Sequence, residues 1–167
     1  MEYPLTNGEY TLVDRADLKK MEGYKWAKIT PVDGQRRLNL ISYAATQRYR
    51  GGKKHIFLHR HLLDAPDGMF VDHKNGNGLD NRRKNIRLCD RFQNQWNSPK
   101  KRGYAGKPCV TKYKGVFIRR GYIGCEIMRR GKLYRLGYFP TQEKARDVYQ
   151  AKAKELDGEF FYVAPSR

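Results

Sequence analysis

The stretch over residues 97–108 constrains the fold more than any other. It is polar, basic and broken by Pro99, Gly103, Gly106 and Pro108, the composition of a connecting segment and not of a core element. It divides a 167-residue chain into two parts, each too short for a large core. The expected organisation is a domain over 1–98, a basic linker over 99–111 carrying Lys100, Lys101, Arg102 and Lys107, and a second domain over 112–167.

Within each part, turn residues separate short runs. A helix is expected over 13–21, with Asp14 as its cap, stopped by Gly23. Alternation predicts a strand over 24–29, and the turns Asp33-Gly34 and Gly51-Gly52 bound an apolar run over 38–45 and a strand over 54–59. These make a three-stranded antiparallel sheet. A short helix or turn over 59–63 ends at Pro66 and Gly68. A strand over 69–73, a polar loop with Asn75-Gly76 and Asn77-Gly78, a strand over 85–88 and a helix over 91–96 form a ββα unit. The second part reads as strands over 113–119, 122–128 and 132–139, joined by Arg120-Gly121 and Arg130-Gly131. A helix then opens at Thr141, with Lys144 leaving its capping box incomplete, and ends at Gly158. Ala145, Val148, Tyr149 and Leu156 lie at helical spacing and are expected to face the sheet. The fold class is α+β.

Charge narrows the partners. Lys and Arg number 35 against 17 Asp and Glu, a formal net charge of +18. Such an excess attracts polyanions, and nucleic acid before others. Aromatics at 13% exclude a disordered basic tail. Cys89, Cys109 and Cys125 are odd in number and lack CxxC spacing, which argues against a disulfide framework and a four-cysteine zinc site. A reduced, cytoplasmic setting is expected, because no run approaches a membrane span and Met1-Glu2-Tyr3-Pro4 lacks a signal-peptide pattern.

The ββα unit carries the chemistry. Cutting a phosphodiester needs an activated water, a cation on the scissile phosphate and protection of the leaving oxygen. A histidine near neutral pKa can serve as general base, and Mg²⁺ takes one or two protein oxygens, with water and phosphate completing its shell. Asp72 and His73 end a strand, and Asn94 lies on the helix that follows. Val71-Asp72-His73, the Asn-Gly loop, Asn85-Ile86-Arg87 and Asn94 together resemble an HNH endonuclease of the phage homing type, with its ββα-metal motif. The resemblance implies His73 as general base, Asp72 and Asn94 as ligands of one divalent cation, Mg²⁺ or Mn²⁺, and Asn85 as the residue that steadies loop and base. His59-Arg60 resembles a His-Arg pair preceding the motif in this group, either as active-site support or as scaffold. Lys74, Arg82 and Arg83 beside the motif are candidate DNA contacts.

The second part has its own resemblance. Tyr113-Lys114-Gly115-Val116, Glu126-Ile127, Leu136-Gly137-Tyr138-Phe139, Thr141 to Ala145 and Tyr149 resemble the apetala-type (ethylene-response-factor) DNA-binding domain, without the tryptophans of the plant pattern. In that family a three-stranded sheet lies in the major groove. Arg119, Arg120, Arg129, Arg130, Lys132, Tyr134 and Arg135 are then the candidate DNA-binding residues, because Arg can fork onto guanine edges and Lys or Arg can neutralise phosphates.

The expected activity is site-specific, metal-dependent hydrolysis of double-stranded DNA. A single site nicks, so a monomer, the favoured state, cuts one strand. The rival readings are a non-catalytic DNA-binding regulator with a degenerate nuclease domain and a basic RNA-binding protein.

Overall fold

A computed structural model of the chain describes residues 1–30, 41–48, 54–97, 103–104 and 107–161. The expected turns at Asp33-Gly34 and Gly51-Gly52, residues 38–40, and the basic run Lys100-Lys101-Arg102 lie outside the described residues. The chain divides into two compact units, Met1–Asn94 and Gln95–Arg167.

The first unit opens with a hairpin that sequence patterning did not predict, β1 (Glu2–Pro4) against β2 (Tyr10–Leu12). Both strands are only three residues long, too short for alternation to register. The helix expected over 13–21 is a 3₁₀ turn, Arg15–Asp17, running into the single turn α1 (Leu18–Met21). Asp14 makes no side-chain cap. Its carboxylate instead accepts from the Arg83 backbone N–H at 2.7 Å, a tertiary bond that wins over the local one. A meander follows, β3 (Ala27–Ile29), β4 (Tyr43–Arg48) and β5 (Lys54–Phe57), hydrogen-bonded in that order. Helix α2 (Leu58–Leu62) takes up His59, which the strand expected over 54–59 had included. Next come β6 (Phe70–His73) and β7 (Ile86–Cys89), an antiparallel pair, and α3 (Arg91–Trp96).

Val13, Met21, Trp26, Ala44, Leu58, Leu62 and Ile86 form one core. It joins the first hairpin, the meander, α2 and the β6–β7 pair. The site described below therefore rests on packing contributed from most of the unit.

In the second unit β8 (Gly103–Tyr104) pairs with β9 (Lys107–Pro108). A sheet of β10 (Val116–Arg119), β11 (Tyr122–Arg129) and β12 (Lys132–Phe139) follows in sequence order. Its two hairpin loops are two-residue turns with both φ values positive, Arg120 at 52° with Gly121 at 82°, and Arg130 at 47° with Gly131 at 80°. Such turns match the right-handed twist of the flanking strands. Helix α4 (Gln142–Asp157) packs on one sheet face, with the Thr141 hydroxyl accepting from Lys144 N–H at 3.2 Å. Ala145, Tyr149 and Ala153 bury against Val116, Cys125 and Ile127. Val148, expected in this stripe, is 37% exposed. The buried stripe runs in steps of four, and Val148 lies one position off it. At Gly115, φ is +74° and a Cβ would lie 2.1 Å from the Tyr149 ring, so only glycine lets this strand start under the helix.

Candidate active site

The loop between β6 and β7 is held by its own side chains. Asn75 Oδ1 accepts from Asn77 N–H at 2.9 Å, and Asn77 Oδ1 accepts from Leu79 N–H at 3.0 Å, both local Asx turns. Asp80 receives Arg82 Nε and Nη2, each at 2.7 Å, and Asn75 Nδ2 at 2.9 Å. Asn85 ties the two ends together. Its Nδ2 donates to Asp80 O at 2.7 Å, and its Oδ1 accepts from Asn75 N–H at 3.1 Å. Gly78 must be glycine because a Cβ there would lie 2.4 Å from the Ser42 carbonyl oxygen.

Asp72 and His73 end β6 side by side, 5% and 6% exposed. The His73 ring meets Asn81, with Nε2 and Oδ1 3.3 Å apart. A chain of bonds orients that amide. Thr11 Oγ1 donates to Leu79 O at 2.7 Å, so its lone pairs face Asn81 Nδ2, which donates to it at 2.8 Å. Asn81 must then present its carbonyl oxygen to His73. The proton of a neutral His73 sits on Nε2, and Nδ1 carries the lone pair. Asn81 and Thr11 are fully buried, and sequence reading had singled out neither. Thr11 and Asn81 lie 70 residues apart in the chain, so no local pattern ties them together.

Rings surround His73. His59 meets it edge-on with centroids 5.1 Å apart, and Tyr43 lies 5.9 Å away. Phe57 stacks on His59 at 5.4 Å. Burial, followed by the neighbouring His73 and Arg60 charges, pushes the His59 pKa down to about 3. Burial also lowers His73, although Asn81, Asp72 and Asp80 pull the other way. Both rings are therefore neutral at physiological pH. His59 Nδ1 is buried without a hydrogen-bond partner.

Between the lowered folded values and the ordinary value of 6.5, the unfolded chain binds more protons than the folded one. Stability contributed by the neutral rings is complete above 6.5 and is lost as pH falls towards 3. Replacing His59 by Phe keeps a ring beside His73 and removes one titration. Thermal melts of His59→Phe should therefore lose less between pH 6.5 and 4 than those of wild type. Parallel pH slopes for the two proteins would contradict this account.

Asp72 faces Arg87 across the strand pair. Arg87 Nε and Nη2 donate to Asp72 Oδ2 at 2.8 and 2.7 Å, and their side chains are 9% and 6% exposed. Asn94 sits on α3, half-buried, its N–H bonded to Asp90 O at 3.0 Å. A carboxylate and an amide oxygen are hard donors, the kind that suit Mg²⁺ or Mn²⁺ with water and phosphate filling the remaining positions. No group of three or more His, Cys, Asp or Glu that could hold a metal exists among the described residues. The donor set thus fits a shared, open cation site and not a closed structural one.

The other candidates fall in varied settings. Arg60 clasps the turn before β6, donating to the carbonyls of Ala65, Pro66 and Met69. Arg82 is held by Asp80, and Arg83 by Asp17 at 2.6 Å. Lys74 is exposed at the loop mouth. In the second unit Arg119, Arg120, Arg130, Lys132 and Arg135 are exposed. Arg129 is bound to the buried Asp157 carboxylate and lies over the Trp96 ring at 5.3 Å, so it braces the unit from within. Tyr134 packs on the helix side of the sheet, under Lys132. The opposite face carries an aromatic group that sequence reading had not assigned to binding. Phe117 covers Gly124, whose missing side chain makes room for its ring. Tyr138 meets Phe117 and Tyr122 edge-on, and the Arg119 guanidinium sits 5.5 Å over Phe117.

Comparison with known proteins places the β6–β7–α3 segment. Residues 64–96 match the HNH endonuclease family. The chain is also similar to an uncharacterized HNH endonuclease of Acanthamoeba polyphaga mimivirus, 30% identical over 116 residues. That alignment covers 68% of this chain and 56% of the relative, so the chain spans a little over half of the relative's length. No solved structure matches. The HNH segment contains Asp72, His73, Asn85 and Asn94 and ends on Trp96.

Proposed function

We propose that the chain is a divalent-cation-dependent DNA endonuclease of the homing type that nicks duplex DNA. The observation that carries this is the buried, neutral His73. Its proton is held on Nε2 by the Thr11–Asn81 chain, and it stands next to Asp72 in a segment similar to HNH endonucleases. With Nε2 engaged, Nδ1 is the atom that takes the proton from the attacking water. Asp72 and Asn94 would hold a cation that neutralises charge on the phosphate and at the leaving oxygen. Asn85 keeps the loop closed, so that His73 and Asp72 hold their places at the end of β6. Binding falls to the second unit. Arg119, Arg120 and Arg135 supply positive charge, and Phe117, Tyr122 and Tyr138 offer ring faces and edges to duplex DNA. One site per chain cuts one strand, so the product is a nick.

Incubation of supercoiled plasmid with the protein and Mg²⁺ or Mn²⁺ tests this. Relaxed open circles should accumulate, and EDTA should stop them. Supercoiled plasmid that survives in both metals across a range of salt would leave only a DNA-binding role. No helix among the described residues is long and apolar enough to cross a membrane.

A further inference from the structure

The pairing of Asp72 with Arg87 has a consequence for how the proposed cation loads, and the inference rests on the nuclease reading above. The Asp72–Arg87 pair carries no net charge. Asp72 contributes one negative charge and Arg87 one positive charge, while Asn85 and Asn94 are neutral amides. The two charged side chains are largely withdrawn from water, so solvent screens their interaction poorly. The chain as a whole is strongly cationic, at +18. A dication approaching the DNA-free pair finds the charge of Asp72 already balanced, and it must share that carboxylate with a guanidinium bonded to Oδ2. A scissile phosphate changes that sum, because it brings negative charge to the site.

We propose that Arg87 is the counter-ion of Asp72 in the DNA-free protein, and that it makes divalent-cation loading depend on bound DNA phosphate. Arg87 is then a positioning residue with a sign opposite to that of a scaffold. Removing a scaffold residue loosens a metal site. Removing Arg87 leaves a buried carboxylate without its counter-ion, and that carboxylate should attract a cation more strongly.

Mn²⁺ binding, followed by the electron paramagnetic resonance of the free ion, reads this directly in the full chain. In the absence of DNA, Arg87→Met should bind Mn²⁺ at least about tenfold more tightly than wild type, a difference of roughly 1.4 kcal/mol. Its melting temperature should rise with Mn²⁺ more than that of wild type, since a ligand bound only by the folded state stabilises it. Arg87→Lys keeps the charge and should bind Mn²⁺ as weakly as wild type. Duplex DNA, measured with His73→Ala to prevent cutting and corrected for Mn²⁺ on the duplex alone, should tighten binding by about tenfold or more when Arg87 is present. The gain should be much smaller with Arg87→Met.

Mn²⁺ affinity in Arg87→Met equal to or weaker than that of wild type would overturn the proposal. If Arg87→Met does not fold, the comparison with and without duplex decides, and an affinity indifferent to DNA overturns it. An Asp72→Asn control separates this inference from the nuclease reading. Full Mn²⁺ binding in the DNA complex of that variant would remove Asp72 as a ligand, whatever Arg87 does.

Discussion

His73→Ala should slow strand cleavage by at least about 100-fold, the usual contribution of a positioned general base, and leave affinity for duplex DNA nearly unchanged. His73 is buried and neutral, and its Nε2–H is committed to Asn81 Oδ1. Alanine removes the ring nitrogen proposed to accept the proton and takes away the His73 contact of Asn81 Oδ1. The binding surface proposed for DNA lies on the sheet of the second unit, built from residues other than His73. Plasmid nicking and gel-shift titration on the same preparation separate the two effects. Parallel loss of cleavage and binding would make His73 a structural residue. A cleavage rate close to that of wild type would move the base elsewhere.

The largest stability effect is expected at Asp157. Its side chain is 1% exposed and forms a two-bonded ion pair with Arg129, whose Nη2 lies 2.6 Å from Oδ2. Lys114, lowered to about 8 first by burial and then by Arg129, lies in the same field and is held up by Asp157. Asp157→Ala therefore leaves a half-buried guanidinium and a half-buried ammonium without their shared anion. Breaking such a pair costs about 3–5 kcal/mol, which is most of the stability of a small domain. Trp96, under the Arg129 and Arg130 guanidiniums, is a fluorescent reporter for this unit. In a Trp26→Phe background its signal isolates the transition, since the chain has two tryptophans. The urea midpoint should fall steeply. A loss below about 1 kcal/mol would class the pair with ordinary surface ion pairs.

Much of this was legible in residue order. The turns Arg120-Gly121 and Arg130-Gly131, the strand over 132–139 and the helix over 91–96 sit where punctuation and alternation put them. These are local signals, written within a few residues of where they act. The first hairpin escaped because its strands are three residues long. Asp14 misled because a tertiary N–H, from Arg83, took the carboxylate that a local helix end was expected to hold. Arg129 and Tyr134 looked like members of one basic, aromatic face. The pleat and the helix then sent Tyr134 to the opposite side of the sheet and tied Arg129 to Asp157.

The compact units divide between Asn94 and Gln95, and the polar, broken segment over 97–108 follows within the second. Sequence alone determined the mixed helix-and-sheet class, the cationic character and the expectation of a nuclease constellation at Asp72, His73, Asn85 and Asn94. Those properties depend on composition, turn chemistry and spacing. Tertiary structure alone decided which His73 nitrogen holds its proton, that His59 is buried against it, and that Arg87 shares Asp72. Each of those depends on side chains brought together from separate strands and helices, and on burial that makes an unpaired polar atom costly. No run of neighbouring residues can encode that.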